Sequence, residues 1–281
     1  MSLANYKELF AFGKEHHITI GGFNTLNMET VQAVAGAASL RNTPVIIQCY
    51  HHHLDYCGAD YISALAQTAA KNVDIPLALG LDHGQSFQQA ERCIRHNFSG
   101  VMIDLSTSDY QINASETKRV VEYAHARGIS VEAELGTIMD GDASPDQIAT
   151  GYTDPDVARK FVEDTGVDCL AVSVGTAHGS YAHTPRINFP LLKELVETVN
   201  CPIVVHGGSG TPDEALEKMV RLGIGKLNIG TDLMQAYTST LDKALKTGGP
   251  FMDPTLLMAE ARQAVTDAAL HILDILTRFR I

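Results

Sequence analysis

Three histidines are each followed by a glycine, and histidine is a residue type that catalytic metal sites use as a ligand. They are His83 in the segment LDHG, His178 in GTAHG and His206 in HGGSG. Neutral imidazole is a common zinc ligand, and three protein ligands that leave one coordination position open are typical of a catalytic zinc site. The three histidines are therefore candidate zinc ligands if the fold brings them together. Taken singly, each could equally be an ordinary polar residue at the edge of a sheet.

Several carboxylates accompany these histidines. Asp82 immediately precedes His83, and Asp104 ends a short apolar run. Glu132 and Glu134 alternate within the segment VEAEL. A carboxylate within hydrogen-bond reach of a reacting hydroxyl can remove its proton, so Asp82 is a candidate acid/base.

Glycines and hydroxyl side chains near two of the histidines indicate an anion-binding loop. Glycine lets backbone N–H groups approach an anion closely, and hydroxyls can add further donors. Alternatively, these glycines serve turn geometry alone. The residues concerned are Gly179, Gly207, Gly208, Ser209, Gly210 and Thr231.

Eight short apolar segments rich in Val and Ile alternate with longer amphipathic segments. Such short segments are typical of parallel strands that are buried on both faces. The predicted strands are 18–23, 45–49, 77–81, 100–104, 130–134, 169–174, 202–205 and 226–229. The predicted helices are 28–40, 60–71, 86–96, 114–127, 155–165, 189–199, 212–222, 233–245 and 254–278.

This alternation predicts an α/β protein with a closed (β/α)8 TIM barrel, further C-terminal helices and a single domain over residues 1–281. A doubly wound open sheet would usually carry a glycine-rich fingerprint after its first strand, and Gly21-Gly22-Phe23 does not provide one. In a barrel the active site forms at the C-terminal ends of the strands. The chemically capable segments then converge on one rim, and the loops after strands seven and eight become a phosphate cradle.

Composition excludes several function classes. The net charge of -12 argues against nucleic-acid binding, which depends on basic patches. No apolar run approaches the roughly 18 residues of a membrane span, and the N-terminus lacks a secretory signal pattern. Five scattered cysteines without a CxxC pair indicate free buried thiols in a reducing compartment. A cytoplasmic protein is expected.

Six motifs, in this order along nearly the whole chain, resemble those of the class II (zinc-dependent) fructose-bisphosphate and tagatose-bisphosphate aldolases. They are LDHG (81–84), MIDLS (102–106), VEAELG (131–136), GTAHG (175–179), HGGSG (206–210) and NIGTD (228–232). The resemblance implies reversible cleavage of a ketose 1,6-bisphosphate to dihydroxyacetone phosphate and an aldehyde. It also implies Zn2+, a monovalent cation (Na+ or K+) near the phosphate, and a homodimer or homotetramer.

The resemblance also implies roles for individual residues. His83, His178 and His206 are the expected zinc ligands, and Asp82 is the acid/base for the hydroxyl at the cleaved carbon. Asp104 and Glu134 match a second or displaced metal site, and Glu132 a supporting carboxylate. Asn228 matches a contact to the dihydroxyacetone part. The matches to the phosphate cradle are Gly179, Gly207, Gly208, Ser209, Gly230 and Thr231.

The chemistry agrees with this interpretation. Aldol cleavage must stabilise an enediolate, which a metal ion can do as a Lewis acid without a lysine Schiff base. No lysine ends a predicted strand within residues 1–225, and Lys226 begins strand eight. The sequence therefore disfavours the Schiff-base route.

Three departures from the family pattern bear on the substrate. Asp142 stands where the family has a loop glutamate that shuttles a proton, although a plain acidic loop is the alternative. Residues 48–53, QCYHHH, replace the small residues that follow strand two in the family. They predict either a solvated loop or an altered pocket for the aldehyde side. Arg262 resembles an arginine that reaches the far phosphate, in some members across a dimer interface.

Three alternatives remain at this point. One is an aldolase of the same family that acts on another ketose 1-phosphate. Another is a zinc hydrolase on the same barrel, although the HxH pair usual on strand one of such enzymes is absent. The third is a non-catalytic aldolase subunit, which would be expected to lose ligands.

Overall fold

Eight parallel strands close into a barrel in chain order, from β1 to β8 and back to β1. The computed structural model describes residues 2–248 and 253–280. The strands are β1 (Ile20–Asn24), β2 (Val45–Tyr50), β3 (Leu77–Gly84), β4 (Gly100–Ile103), β5 (Ser130–Leu135), β6 (Cys169–Val172), β7 (Ile203–Val205) and β8 (Lys226–Ile229). The barrel closes where Gly22 of β1 pairs with Asn228 of β8. The predicted TIM barrel is confirmed.

Helices cover the outside of the barrel. The predicted helices are present: α2 (Met28–Leu40), α4 (Ala59–Lys71), α5 (Phe87–Arg95), α6 (Tyr110–His125), α8 (Pro155–Thr165), α9 (Phe189–Thr198), α10 (Asp213–Leu222), α11 (Thr231–Thr247) and α12 (Pro254–Leu276). Helices α2 and α8 have the predicted bounds, and the others have shifted ends. Three helices were not expected from the sequence pattern: α1 (Tyr6–His16), α3 (His51–Cys57) and α7 (Pro145–Ala149). Within residues 2–248 and 253–280, no helix combines the length and apolar character that a membrane crossing demands.

Helix α1 closes the N-terminal end of the barrel. Its N-cap Asn5 forms a capping box with Glu8, and this motif defines the start of the helix at Tyr6. Ala4 N–H donates to the carbonyl of Leu77 at the start of β3. Tyr6 is fully buried and packs into the lower barrel core. The barrel therefore has one plugged end, and its opposite rim is left for the site.

The cysteines form no disulfide in the described residues. Cys93 and Cys169 are buried as expected, whereas Cys201 is only partly buried. Free thiols were predicted, and the structure agrees on that point.

Candidate active site and metal centre

A cavity of about 530 Å³ opens at the C-terminal rim of the barrel. Residues that follow β3, β6, β7 and β8 line it, as do residues that follow β2. The barrel topology alone brings these distant segments together, because all eight parallel strands end at the same rim. The predicted site residues in the lining are Asp82, His83, Asp104, Glu134, His178, Gly179, His206, Gly207, Ser209, Asn228, Gly230 and Thr231.

The three predicted zinc ligands converge at the bottom of this cavity. One ring nitrogen from each of His83, His178 and His206 lies within 4.8 Å of the others. His83 Nε2 and His206 Nδ1 are 2.8 Å apart. His206 is only 1% exposed and His83 only 8%. The arrangement therefore places three imidazoles around one point that is shielded from solvent.

A backbone irregularity in β3 aims His83 at this point. His83 has φ 50°, in the left-handed region that non-glycine residues rarely adopt. The pairing register between β3 and β4 shifts between Leu81 and Gly84. A bulge of this kind redirects a side chain, and strained backbone commonly marks functional positions. Strand periodicity could not predict this bulge, so the predicted strand ended at residue 81, before His83.

Two carboxylates orient the imidazoles. Asp104 Oδ2 lies 2.7 Å from His83 Nδ1, and Glu132 Oε1 lies 2.9 Å from His206 Nε2. The second oxygen of Glu132 accepts a hydrogen bond from Lys226, whose side chain is fully buried. Carboxylate partners on the outer nitrogens are the usual support of metal-binding histidines.

These contacts fit a metal ion. Ionised carboxylates only accept hydrogen bonds, so the outer nitrogens of His83 and His206 carry the protons. Their facing nitrogens then both present lone pairs, which repel at 2.8 Å unless a cation or proton lies between them. His178 Nε2 is buried without a hydrogen-bond partner in the described residues. Three neutral imidazoles are a donor set that suits Zn2+.

The electrostatics of the described residues favour positive charge at the same point. Burial opposes the charged form of His83, but Asp82, Asp104 and Glu134 raise its pKa to about 10. Burial and the neighbouring His83 lower the pKa of His178 to about 4 and that of His206 well below its usual range. The carboxylates therefore favour positive charge at His83, whereas burial favours the neutral forms of His178 and His206.

A second candidate metal group shares His83 with the first. Ligand atoms of His83, Asp104 and Glu134 also lie within 4.8 Å of one another. Burial, with the nearby Asp104, raises the pKa of Glu134 to about 8. Glu134 Oε2 is buried without a hydrogen-bond partner in the described residues. The geometry thus allows the displaced site that the family resemblance implied.

Asp82 is held by three side-chain amides. Asn24 Nδ2 donates to its Oδ2 at 2.7 Å, and Gln48 and Asn228 donate to its Oδ1 at 3.2 and 3.0 Å. Burial alone would raise the pKa of Asp82, but His83, His206 and Lys226 lower it, so the carboxylate is ionised. Sequence analysis missed Asn24 and Gln48. The available signal was a polar side chain near the end of an otherwise apolar strand.

Residues predicted to form a phosphate cradle lie on the three loops that follow β6, β7 and β8. Ser209 Oγ accepts hydrogen bonds from the backbone N–H groups of Gly230 and Asp232 at the start of α11. Gly179 and Gly207 have φ values of 80° and 69°, which favour glycine. The N-terminus of a helix and closely packed glycine loops together form a site suited to a phosphate.

Some predicted residues lie elsewhere. Asp142 is exposed and is not among the lining residues, whereas its neighbour Asp140 is. Arg262 Nη1 donates to Gln32 Oε1 on the outside of the barrel, at 2.6 Å. Glu132 and Gly208 do not line the cavity.

The segment after β2 is a helix, so the solvated-loop interpretation is wrong. His51 is buried, His53 is half-buried, and both line the cavity, while His52 between them is exposed.

Convergent imidazoles, a buried carboxylate and glycine-rich loops on one rim are typical of a (β/α)8-barrel enzyme. The sequence matches the family described as class-II fructose-bisphosphate aldolase over residues 4–278. The chain belongs to this family, which makes it an aldolase and therefore a lyase. The predicted family is confirmed, and the zinc hydrolase alternative is disfavoured.

Relatives extend over nearly the whole chain. The fructose-bisphosphate aldolase of Staphylococcus aureus is 35% identical over 274 residues, covering 95% of this chain and 94% of that protein. The fructose-bisphosphate aldolase of Geobacillus stearothermophilus is 34% identical over 272 residues, covering 94% and 93%. The crystal structure of the YdjI aldolase from Escherichia coli K12 superposes with a TM-score of 0.87 at 32% identity, covering 98% and 97%.

Proposed function

We propose that this protein is a zinc-dependent aldolase that reversibly cleaves a ketose 1-phosphate to dihydroxyacetone phosphate and an aldehyde. The observation that carries this proposal is the convergence of His83, His178 and His206 beside Asp82, whose carboxylate accepts hydrogen bonds from side-chain amides. Fructose 1,6-bisphosphate and tagatose 1,6-bisphosphate are the substrates to which the family resemblance points.

The three histidines would hold the metal, with Asp104 and Glu132 orienting two of them. When bound, Zn2+ supplies Lewis-acid chemistry that polarises the ketose carbonyl and stabilises the charge that develops as the carbon–carbon bond breaks. Asp104 and Glu134 are the proposed ligands of a displaced metal position.

Asp82 removes the proton of the hydroxyl on the carbon that becomes the aldehyde. It is ionised, and its amide donors hold it in one orientation toward the cavity. In the synthetic direction the same carboxyl returns this proton to the new alkoxide. Asn228 lies between Asp82 and His206 and contacts both, so it is placed to orient the dihydroxyacetone part.

The loops after β6, β7 and β8 bind the phosphate at C1. Gly179 and Gly207 allow close approach of the backbone, and Ser209, Gly230 and Thr231 surround the start of α11. A monovalent cation beside this phosphate, a homodimeric or homotetrameric assembly and a cytoplasmic location are carried over from the family as proposals.

Metal removal and reconstitution test the proposal. Chelation should abolish release of dihydroxyacetone phosphate from ketose 1-phosphates, and added Zn2+ or Co2+ should restore it. Release can be followed by a coupled reduction of dihydroxyacetone phosphate. Full activity of the verified metal-free protein would contradict the metal-dependent mechanism, and a zinc-loaded protein inactive on every ketose phosphate would contradict the function.

A further inference from the structure

Helix α3 places unpartnered imidazole nitrogens in the wall of the cavity. His51 is 5% exposed, and neither of its ring nitrogens has a hydrogen-bond partner in the described residues. His53 Nδ1 is likewise buried and unpartnered. Buried polar atoms are normally hydrogen-bonded, so unpaired ones that face a cavity indicate a ligand that completes them. The mechanism proposed above uses neither residue.

These histidines follow β2, which lies across the closed barrel from β6, whose loop carries part of the predicted phosphate cradle. Tyr50 at the end of β2 pairs in register with Asp82 of β3, and α3 begins at the next residue. The Tyr50 ring packs edge-on against His83, with centroids 5.8 Å apart. A ketose with its C1 phosphate at the loops after β6 to β8 and its reacting hydroxyl at Asp82 extends its remaining carbons toward α3.

The described lining of the cavity offers no lysine or arginine for a second phosphate. None of the described lining residues is a lysine or an arginine, and four are carboxylates: Asp82, Asp104, Glu134 and Asp140. Arg262, the sequence candidate for a far phosphate, is hydrogen-bonded to Gln32 outside the cavity. No lysine or arginine of the described lining would therefore compensate a second phosphate dianion that is desolvated at α3.

The groups at α3 match hydroxyls instead. A neutral imidazole offers one N–H donor and one acceptor, and the Tyr50 hydroxyl also offers both. A sugar hydroxyl donates and accepts, whereas a phosphate dianion only accepts. Burial lowers the pKa values of His51 and His53, which favours their neutral forms.

We propose that His51, His53 and Tyr50 bind the aldehyde end of the substrate and select a ketose 1-phosphate that carries hydroxyls there instead of a second phosphate. The product aldehyde is then an unphosphorylated hydroxyaldehyde. This inference rests on the proposed function, because it concerns the other half of the same substrate.

A substrate comparison with the zinc-loaded wild-type protein tests this selection. Fructose 1-phosphate and tagatose 1-phosphate are compared with the matching 1,6-bisphosphates by kcat/KM for release of dihydroxyacetone phosphate. We expect kcat/KM of at least one monophosphate to exceed that of its matched bisphosphate by about tenfold or more, because the second phosphate of the bisphosphate would be buried without a compensating charge. Equal or higher kcat/KM for both bisphosphates would overturn the inference.

Variants of α3 test the residues. H51N and H53N should each lower kcat/KM for the preferred monophosphate by about tenfold, the size of one hydrogen bond to a buried group. H52N is the matched control, since His52 lies on the same helix but is exposed and does not line the cavity. Zinc content and the unfolding midpoint are measured for each variant. If H51N and H53N fold, bind zinc and keep the wild-type kcat/KM, the assignment to α3 is wrong.

A gain-of-charge variant provides an independent readout. H53R adds a permanent cation at the half-buried position and should shift the ratio of kcat/KM values toward the bisphosphate. An unchanged ratio in a folded, zinc-loaded H53R protein would contradict the location of the aldehyde end. Absence of cleavage of every ketose phosphate by the zinc-loaded wild type would instead contradict the proposed function, so the two failures are distinguishable.

Discussion

At the scale of single residues, the site depends on side chains that are ionised or neutral because of their partners. Asp82 is 3% exposed but is kept anionic by amide donors and by nearby positive charge. Glu132 is fully buried and joins Lys226 to His206, so one carboxylate both balances a buried cation and orients a candidate ligand. Such buried charges persist only when every partner is present.

Replacing Asp82 should separate metal binding from proton transfer. D82N keeps the shape of the side chain but removes the basic oxygen, and the metal-facing nitrogens of the histidines are unchanged. We expect zinc content to stay near wild type, while kcat falls by about 100- to 10,000-fold, the usual range for a general base. Turnover close to that of the wild type would remove Asp82 from the mechanism.

Glu132 should matter for both zinc affinity and stability. E132Q leaves Lys226 buried without its counter-charge, so the free energy of unfolding should drop by about 3–5 kcal/mol in urea titrations. The zinc Kd should rise about 10- to 100-fold, because His206 loses its orienting carboxylate. The double variant E132Q/K226M should recover stability but not zinc affinity. Recovery of both would show that Glu132 does not act through His206.

Two aspartates compete for the role of the loop proton carrier. Asp142 matches the family position, but Asp140 lines the cavity and forms a bridge with the backbone of His178. If Asp142 carries the proton, D142N should lower kcat by about 100-fold or more, while D140N retains activity. Exchange of the C3 hydrogen of dihydroxyacetone phosphate with solvent measures the step directly. The reverse order of effects would transfer the role to Asp140.

At the scale of elements, α1 and the bulge in β3 are the features that shape the barrel ends. Helix α1 inserts Tyr6 beneath Gly80 and Gly100, where a Cβ would lie only 1.8 and 2.3 Å from atoms of the tyrosine ring or hydroxyl. These two glycines therefore make room for the aromatic plug. At the opposite end, the β3 bulge turns His83 into the cavity.

A methyl group at Gly80 should disturb the plugged end. G80A should lower the free energy of unfolding by about 1–3 kcal/mol, as is usual for overpacking. G36A is the control, because Gly36 lies within α2 and a Cβ there meets nothing within 4 Å. Urea unfolding should show G36A to be neutral or stabilised by about 0.5–1 kcal/mol. Y6F/G80A should recover part of the loss, and a stable G80A single variant would argue against tight packing at Tyr6.

At the scale of the whole molecule, stability and chemistry lie at opposite ends of the barrel. The N-terminal end is closed by packed apolar side chains around Tyr6, whereas the C-terminal rim collects charged and polar groups. The rim carries the predicted phosphate cradle after β6 to β8, Asp82 and His83 in β3 and the histidines of α3 after β2.

Zinc should stabilise the whole chain because its proposed ligands come from strands or loops far apart in sequence. At a free zinc concentration of about 1,000 times Kd, binding adds about 4 kcal/mol to the free energy of unfolding. Thermal unfolding should then shift upward by about 8–16 °C. Acidification should reduce this shift, because protons compete with the metal for imidazole nitrogens. H178A should abolish most of the shift, and an unchanged midpoint in the wild type would contradict the metal site.

The sequence by itself determined the barrel, the order of its strands and the identity of the rim residues. Parallel strands buried on both faces read as apolar runs, and chain order dictates that their ends share one rim. The three histidines, Asp82 and the glycine loops could therefore be predicted without coordinates. The proposed roles of these residues were inferred from the family motifs, each of which lies at or just after the end of a strand.

Tertiary structure alone decided what depends on contacts between distant residues. The left-handed backbone of His83 accompanies a shift in the pairing register between β3 and β4. The hydrogen bonds to Asp82 require the side chains of Asn24, Gln48 and Asn228 to meet from three strands. Periodicity cannot distinguish a short helix such as α3 from a loop, because a seven-residue element shows less than two full turns. The positions of His51 and Arg262 relative to the cavity, and with them the case for the far end of the substrate, became visible only in the folded chain.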